Sequence, residues 1–362
     1  MHKLMVGGTI LEHELSELRL LVERQTGVLL DCPNSALAAH IADYLEAHGL
    51  ESPTALLDRL RACDQDPATL PQFLEGLLNS NTGFFRHPGA MSALSKQIVP
   101  QICARKAGEG PATLRIWSAG CGTGEEVYSI AMAICDSLHG TNGSSNGSNG
   151  NGNGTKENAA KENGTKEKAG ATRNGGIAET PVPPATQLSR DWSIHIVGTD
   201  LLPSAIEVAE RGLYPQSALA GLPPAMIRAY FAKIGSPNGS QTVSQNGGSN
   251  GSQNGSAATA MSHLLVKPRL RSLVTFNTMN LTRPVYIGRF DCIFCMDVLP
   301  HLSRSQRTSL VERLHLYLEP GGYLFLSQTE KLSAPNLNFR SETFDGHTFH
   351  RKPLAASAAY GR

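Results

Sequence analysis

No stretch of this 362-residue chain is both apolar enough and long enough to span a membrane, and its N-terminus lacks the apolar core of a signal peptide. A soluble, cytoplasmic protein that is not membrane-inserted is therefore expected. Cysteine is sparse and unpatterned: seven residues, at 32, 63, 103, 121, 135, 292 and 295, an odd number without the spacing of a disulfide framework. Reduced thiols are the expectation. Cys292-Ile-Phe-Cys295 has the formal CxxC spacing, but it falls in an apolar stretch that reads as a strand, where residues three apart point to opposite faces. That argues against a metal or redox pair, and no metal site is expected. The net charge is only +1, which gives no reason to expect a nucleic-acid partner. What charge asymmetry exists is local: residues 1–80 hold five basic and twelve acidic side chains, a net of −7.

Those 80 residues read as helices. Leu11, Leu15, Leu18 and Val22 recur at helical spacing, and a second helix is expected over Ser35–His48, stopped by Gly49. Ser52-Pro53 and Asp66-Pro67 open a third and a fourth. An N-terminal all-α domain over 1–80 follows. Residues 141–189 and about 235–258 consist largely of Asn, Gly, Ser, Lys, Glu and Pro; such segments cannot bury a core and are expected to be disordered inserts. The folded remainder forms a second domain over 81–352, with a flexible tail at 353–362.

The second domain is organised around Leu114–Met132, a buried strand, a glycine turn (Gly120, Gly122, Gly124) and a helix start. Glycines two apart let backbone pass close beneath a ligand, since no Cβ intervenes. Glu125 and Glu126 follow at once. A dinucleotide pyrophosphate prefers bare amides at that point, so a nicotinamide oxidoreductase is disfavoured. The carboxylates suit a ligand carrying a sulfonium and an ammonium, as S-adenosylmethionine does. A glycine-rich connection with solvated glutamates would look the same in isolation. Three further strand ends favour the ligand. Trp192–Thr199 is a strand closing on Asp200, placed to accept bonds from a ribose diol. Gly120 and Asp200 stand 80 residues apart, but 31 once the segment 141–189 is set aside, enough for one helix and its loops. Asn280-Leu281 and Met296-Asp297 end two more strands. Alternating strands and helices predict an α/β, doubly wound sheet with its ligand at the strand carboxyl ends. Before it, Thr82-Gly-Phe-Phe-Arg86 reads either as a pocket wall with a cationic fork or as an apolar hinge.

Taken together, Thr82–Arg86, Trp117–Glu126 with Tyr128-Ser129, Gly198–Asp200, Asn280-Leu281, Phe290–Cys295, Pro320–Leu326 and Thr329-Glu330 resemble the CheR-type chemotaxis protein-glutamate O-methyltransferase family. The resemblance implies a Rossmann-like class I methyltransferase sheet with a small β-subdomain, here at about 229–275. It implies transfer of a methyl group from S-adenosyl-L-methionine to glutamates of a chemoreceptor or related signalling protein, leaving S-adenosyl-L-homocysteine. Carried over by motif, Ser80, Thr82, Arg86, Gly120, Gly122, Glu125, Asp200, Asn280, Leu281, Met296 and Asp297 would face the cofactor. Arg86 would also orient the acceptor, and His301 stands where the family has a tyrosine near the methyl group. The chain departs from the family in four places: Ser80 replaces Asn, Met296-Asp297 replaces Arg-Asn, Pro300-His301-Leu302 replaces Ile-Tyr-Phe, and the 235–258 insert interrupts the β-subdomain. A glutamate acceptor is already ionised at neutral pH, its reference pKa being about 4.3, so no general base is required. A monomer is expected. A non-catalytic S-adenosylmethionine-binding signalling module is the alternative, distinguished by tight cofactor binding without product.

Overall fold

The computed structural model describes residues 10–62, 68–78, 82–108, 112–139, 192–234, 263–285, 287–332 and 336–354. The expected inserts at 141–189 and 235–258 lie outside these residues, as does Ser80.

Four helices open the chain: α1 (Glu12–Thr26), α2 (Asn34–His48), α3 (Pro53–Arg61) and α4 (Thr69–Leu74). Their apolar stripes converge on one core containing Leu18, Val22, Leu37, Leu56, Leu60 and Phe73. Leu202 and Ala205 of the following domain complete that core, so the two parts share packed surface. Ser52 caps α3, its hydroxyl accepting from the Ala55 amide at 3.2 Å, while α1 and α2 end on left-handed Gly27 and Gly49.

A long helical segment then runs as α5 (Pro88–Ala93), a π turn over Leu94–Ile98, and α6 (Val99–Lys106). Pro100 sits just past the turn, and a proline without an N–H inside a helix is a physical cause for such widening. The main sheet contains β1 (Thr113–Ala119), β2 (Ser193–Asp200), β6 (Val274–Thr278), β7 (Phe290–Phe294), β8 (Leu318–Phe325), β9 (Arg340–Phe344) and β10 (His347–Arg351). Their order is β6-β2-β1-β7-β8-β10-β9, parallel through β8, with β10 antiparallel to both neighbours. The Asp345-Gly346 turn joins the last two strands, both residues at positive φ. Chain order reverses between β1 and β7, so the crevice opens at the carboxyl ends of β1, β2 and β7.

Burial on both faces explains the near-continuous apolar strands. Ile116, Cys292 and Phe294 belong to the core beneath α5, α6 and α7 (Glu125–His139); Trp117, Ile293 and Cys295 belong to the opposite core beneath α11 (Arg304–Tyr317). Cys292 and Cys295 thus lie on opposite sides of the sheet, both buried, and no group of three His, Cys, Asp or Glu suited to a metal occurs among the described residues. No helix among those residues is long and apolar enough to cross a membrane.

The β-subdomain is a separate sheet of order β3-β5-β4, from Leu213–Pro215, Phe231–Lys233 and His263–Val266. Its bounds correct the expected 229–275. The first strand starts earlier because Gly212 ends α8 (Pro203–Arg211) in the left-handed region and turns the chain into it. Residues after Val266 leave it through the short α10 (Pro268–Arg271) for the main sheet. Before β4, α9 (Pro224–Tyr230) supplies Tyr230 to the core.

Candidate functional site

The glycine turn leaves β1 with Gly120, Gly122 and Gly124 all at positive φ. A Cβ on Gly120 would collide with the Val298 side chain, and one on Gly124 would meet Ala209 Cβ at 2.6 Å. The turn is therefore held flat against β2: Gly120 and Cys121 both donate their amides to the Thr199 carbonyl, at 2.8 and 2.9 Å. Above it opens a cavity of about 1050 Å³ lined by Thr82, Phe85, Arg86, His87, Gly120, Gly122, Glu126, Asp200, Asn280, Leu281, Met296, Asp297 and His301. That is at the upper end of the ~300–1000 Å³ usual for a small-ligand pocket.

Nearly all the residues expected at the cofactor line this cavity. Glu125 does not. It is the first residue of α7, buried, with its Oε2 accepting from Thr123 Oγ1 at 2.7 Å. One residue further, a helical step of 100° turns Glu126 to the cavity instead, where Oε1 accepts from Ser118 Oγ at 2.7 Å. Burial raises the Glu126 carboxyl most, and the nearby Asp297 and Glu330 add to it, while Ser118 and Arg86 oppose; the outcome is a pKa of about 7. Sequence reading could not separate two adjacent glutamates, because the phase of the first helical turn depends on the glycine loop.

Asp200 is fixed by backbone. Oδ2 accepts from the Gly122 amide at 2.9 Å and Oδ1 from Leu202 at 3.0 Å, and burial shifts its carboxyl upward against those bonds. Each oxygen keeps acceptor capacity toward the cavity. Asn280 is held by Gln25 of α1, Nδ2 donating to its carbonyl at 3.2 Å, while Oδ1 accepts from Thr282 N and Oγ1 at 2.9 and 2.8 Å.

The two phenylalanines divide their work. Phe84 packs edge-on against Tyr214 and Phe231 of the small sheet, at 5.0 and 5.5 Å between ring centres. Phe85, at φ 52°, lines the cavity and donates its amide to Ser129 Oγ at 2.9 Å. Arg86 is thereby presented at the opening, its Nη2 3.3 Å from Asp297 Oδ2, and His87 Nε2 reaches the same oxygen at 2.9 Å. Asp297 sits at φ 60°, and its loop is clamped by Glu330, whose oxygens accept from the amides of Asp297, Leu299 and Ser327 at 3.2, 2.9 and 2.7 Å. His87 and Glu330 were not foreseen as site residues, although the Thr-Glu pair stood among the motifs. His301 is exposed at the rim, in a short 3-10 turn ahead of α11, whose N-cap residue is Ser303.

The N-terminal helices form the far wall. The Leu29 amide donates to the His301 carbonyl at 2.8 Å, Val28 bridges to Leu302, and Val28–Cys32 with Leu77 and Leu78 line the cavity. No sequence signal marked them, since their apolar character serves a helical core equally well.

Around the glycine cradle, Glu126, Asp200 and Asp297 face the cavity; Glu23 and Asp31, with Arg19, Arg86 and Arg307, also line it. The carboxylates beside the glycine cradle fit the cationic end and ribose of a nucleoside such as S-adenosylmethionine. A family model described as CheR methyltransferase, SAM binding domain, matches residues 80–145 and 252–346. The chain is 26% identical over 318 residues to chemotaxis protein methyltransferase 1 of Pseudomonas aeruginosa, covering 87% of this chain and 89% of that one. It is 25% identical over 323 residues to chemotaxis protein methyltransferase Cher2 of Pseudomonas putida, covering 88% and 90%. To a chemotaxis protein methyltransferase of Vibrio parahaemolyticus it is 23% identical over 332 residues, covering 91% and 93%.

Proposed function

We propose that this chain, which resembles the CheR methyltransferase SAM-binding domain over residues 80–145 and 252–346, uses S-adenosylmethionine as methyl donor to esterify glutamate side chains of a cytoplasmic signalling protein of the chemoreceptor class. The observation that carries this reading is the single cavity joining a carboxylate-rich glycine cradle to the guanidinium of Arg86. Bound S-adenosylmethionine supplies an electrophilic methyl group on a sulfonium, which makes it the source of reactivity.

The protein's part is placement. Asp200 receives the ribose hydroxyls, and Glu126, rather than Glu125, provides the counter-charge for the cationic end. Thr82, Gly120, Gly122, Leu281 and Met296 shape the pocket, and Asn280 fixes its edge. Arg86 draws an acceptor carboxylate to the opening with a planar pair of donors. With S-adenosylmethionine bound, transfer of its methyl group to that carboxylate would give the ester and S-adenosylhomocysteine. No proton moves, so His301 at the rim need only help orient the acceptor; its exposure favours contact with the acceptor protein. Val28, Leu29 and Leu30 give the far wall an apolar surface.

The N-terminal net charge of −7 disfavours an acidic partner on that domain, which leaves recognition to the basic stretch Lys267–Arg271 beside the small sheet. Calorimetry with S-adenosylmethionine, followed by mass spectrometry of receptor cytoplasmic fragments for added methyl groups on glutamate, tests the reading. Base-labile methyl esters are expected. Tight cofactor binding without any ester would instead make the chain a binding module.

A further inference from the structure

Glu330 follows β8 and does not itself line the cavity, yet its carboxylate gathers the backbone of two loops. Oε2 accepts from the amides of Asp297 and Ser327, at 3.2 and 2.7 Å, and Oε1 accepts from the amide of Leu299 at 2.9 Å. The Glu330 amide donates to the Ser327 carbonyl at 3.0 Å, so the side chain leaves from a fixed turn. We propose that Glu330 is a positioning residue for the acceptor, holding the loop 296–302 at the depth where an incoming carboxylate meets the cofactor. The proposal rests on the reading that this cavity serves methyl transfer from S-adenosylmethionine to a protein glutamate.

Two features make the loop depend on this clamp. Asp297 stands at φ 60°, a left-handed conformation that a residue with a Cβ keeps only where its surroundings hold it. A carboxylate accepting three amides, each bond strengthened by its charge, is such a hold. The loop also makes much of the mouth: Met296, Asp297, Val298, Pro300, His301 and Leu302 all line the cavity. Through Asp297 it meets the segment 82–87, since Oδ2 lies 2.9 Å from His87 Nε2 and 3.3 Å from Arg86 Nη2. The ribose side is anchored without Glu330. Gly120 and Cys121 donate to the Thr199 carbonyl, and Gly122 donates to Asp200. Val298 already fills the space in front of Gly120, so a released loop moves off the glycine turn rather than into it. Cutting the clamp should therefore misplace the acceptor while leaving the ribose seat intact.

The test compares Glu330→Gln with the unaltered full-length protein, by calorimetry with S-adenosylhomocysteine and by turnover of S-adenosylmethionine on a panel of chemoreceptor cytoplasmic fragments. An amide side chain presents one oxygen and a pair of donors, so glutamine cannot accept from all three backbone amides. Hydrogen exchange at the Asp297 and Leu299 amides is expected to speed up. S-adenosylhomocysteine affinity should stay within about twofold and kcat fall roughly tenfold, because misplaced reacting groups show in the rate rather than in cofactor binding. If cofactor affinity and kcat fall together, in step with the melting temperature, the role is merely structural and the proposal is overturned. Glu330→Asp keeps the charge and shortens the reach by one methylene, so the same fall in kcat is expected; full activity there would assign the effect to charge and overturn the proposal. The aspartate variant also decides if Glu330→Gln does not fold. Unchanged turnover in both variants overturns the proposal alone. No methyl ester on any fragment from the unaltered protein, with S-adenosylhomocysteine still bound, would overturn the acceptor reading and the proposal with it.

Discussion

Walled in beside Ser118, Glu126 has a folded-state pKa of about 7 against an ordinary value of 4.5. The folded protein therefore holds this proton more tightly than the unfolded chain. Its contribution to stability is fully present below about pH 4.5 and is lost as pH rises to about 7. Glu126→Gln should consequently raise the melting temperature by a few degrees at pH 8 and change it little at pH 4.5. Cofactor affinity should move the other way, because a counter-charge is lost. A cationic ligand favours the ionised carboxylate, so binding near pH 7 should release a fraction of a proton, read by calorimetry in buffers of different ionisation enthalpy. Asp200 is likewise shifted upward by burial, but two backbone amides oppose the shift and hold the carboxylate in place. Asp200→Ala should weaken S-adenosylmethionine binding by at least about 1 kcal/mol, the low end for a buried charged hydrogen bond. Unchanged affinity in a titration would remove the ribose assignment.

The glycine turn and the loop after β7 are two elements pressed into one wall, with Gly120 against Val298 and Glu330 clamping the loop from behind. Gly120→Ala would place a methyl group inside Val298 while keeping φ at 85°, a region costly for alanine. A loss of about 2–4 kcal/mol in chemical unfolding is expected from strain and overpacking together. Removing the steric half with Val298→Ala should restore part of it. Much of this wall was legible in the sequence. Strand ends at Gly120, Asp200, Asn280 and Asp297 follow from apolar runs and glycine spacing, which are local signals. The side chains that finish the site were not, because Glu126 against Glu125 is a matter of helix phase, and the meeting of His87 with Asp297 joins residues 210 positions apart. The start of the small sheet was likewise missed: Leu213–Pro215 is too short for a periodicity to show.

Across the whole molecule, the N-terminal helices contribute to the wall of the candidate cavity, and α1 ends against the loop after β6. Gly27 turns the chain at φ 75°, and a Cβ there would strike the Thr282 side chain. Thr282 Oγ1 in turn donates to the Thr26 carbonyl at 3.0 Å, and Asn280 to Gln25. The next residues, Val28 and Leu29, pair with the His301–Leu302 segment. A helical domain was foreseen over the first 80 residues, yet its docking was not, because long-range contact of this kind leaves no periodic trace in a single sequence. The seam has a consequence that can be measured. Gly27→Ala should lift α1 from the loop, at a cost of about 1–3 kcal/mol for left-handed strain in a non-glycine residue. Since Asn280 and Leu281 lie on the displaced loop, cofactor affinity should fall with stability, although Gly27 itself does not line the cavity. Hydrogen exchange separates the two effects. Faster exchange at the Leu29 amide together with weaker S-adenosylmethionine binding is the expected pair of results. Faster exchange with unchanged binding would mean that the helical domain covers the cavity without shaping it.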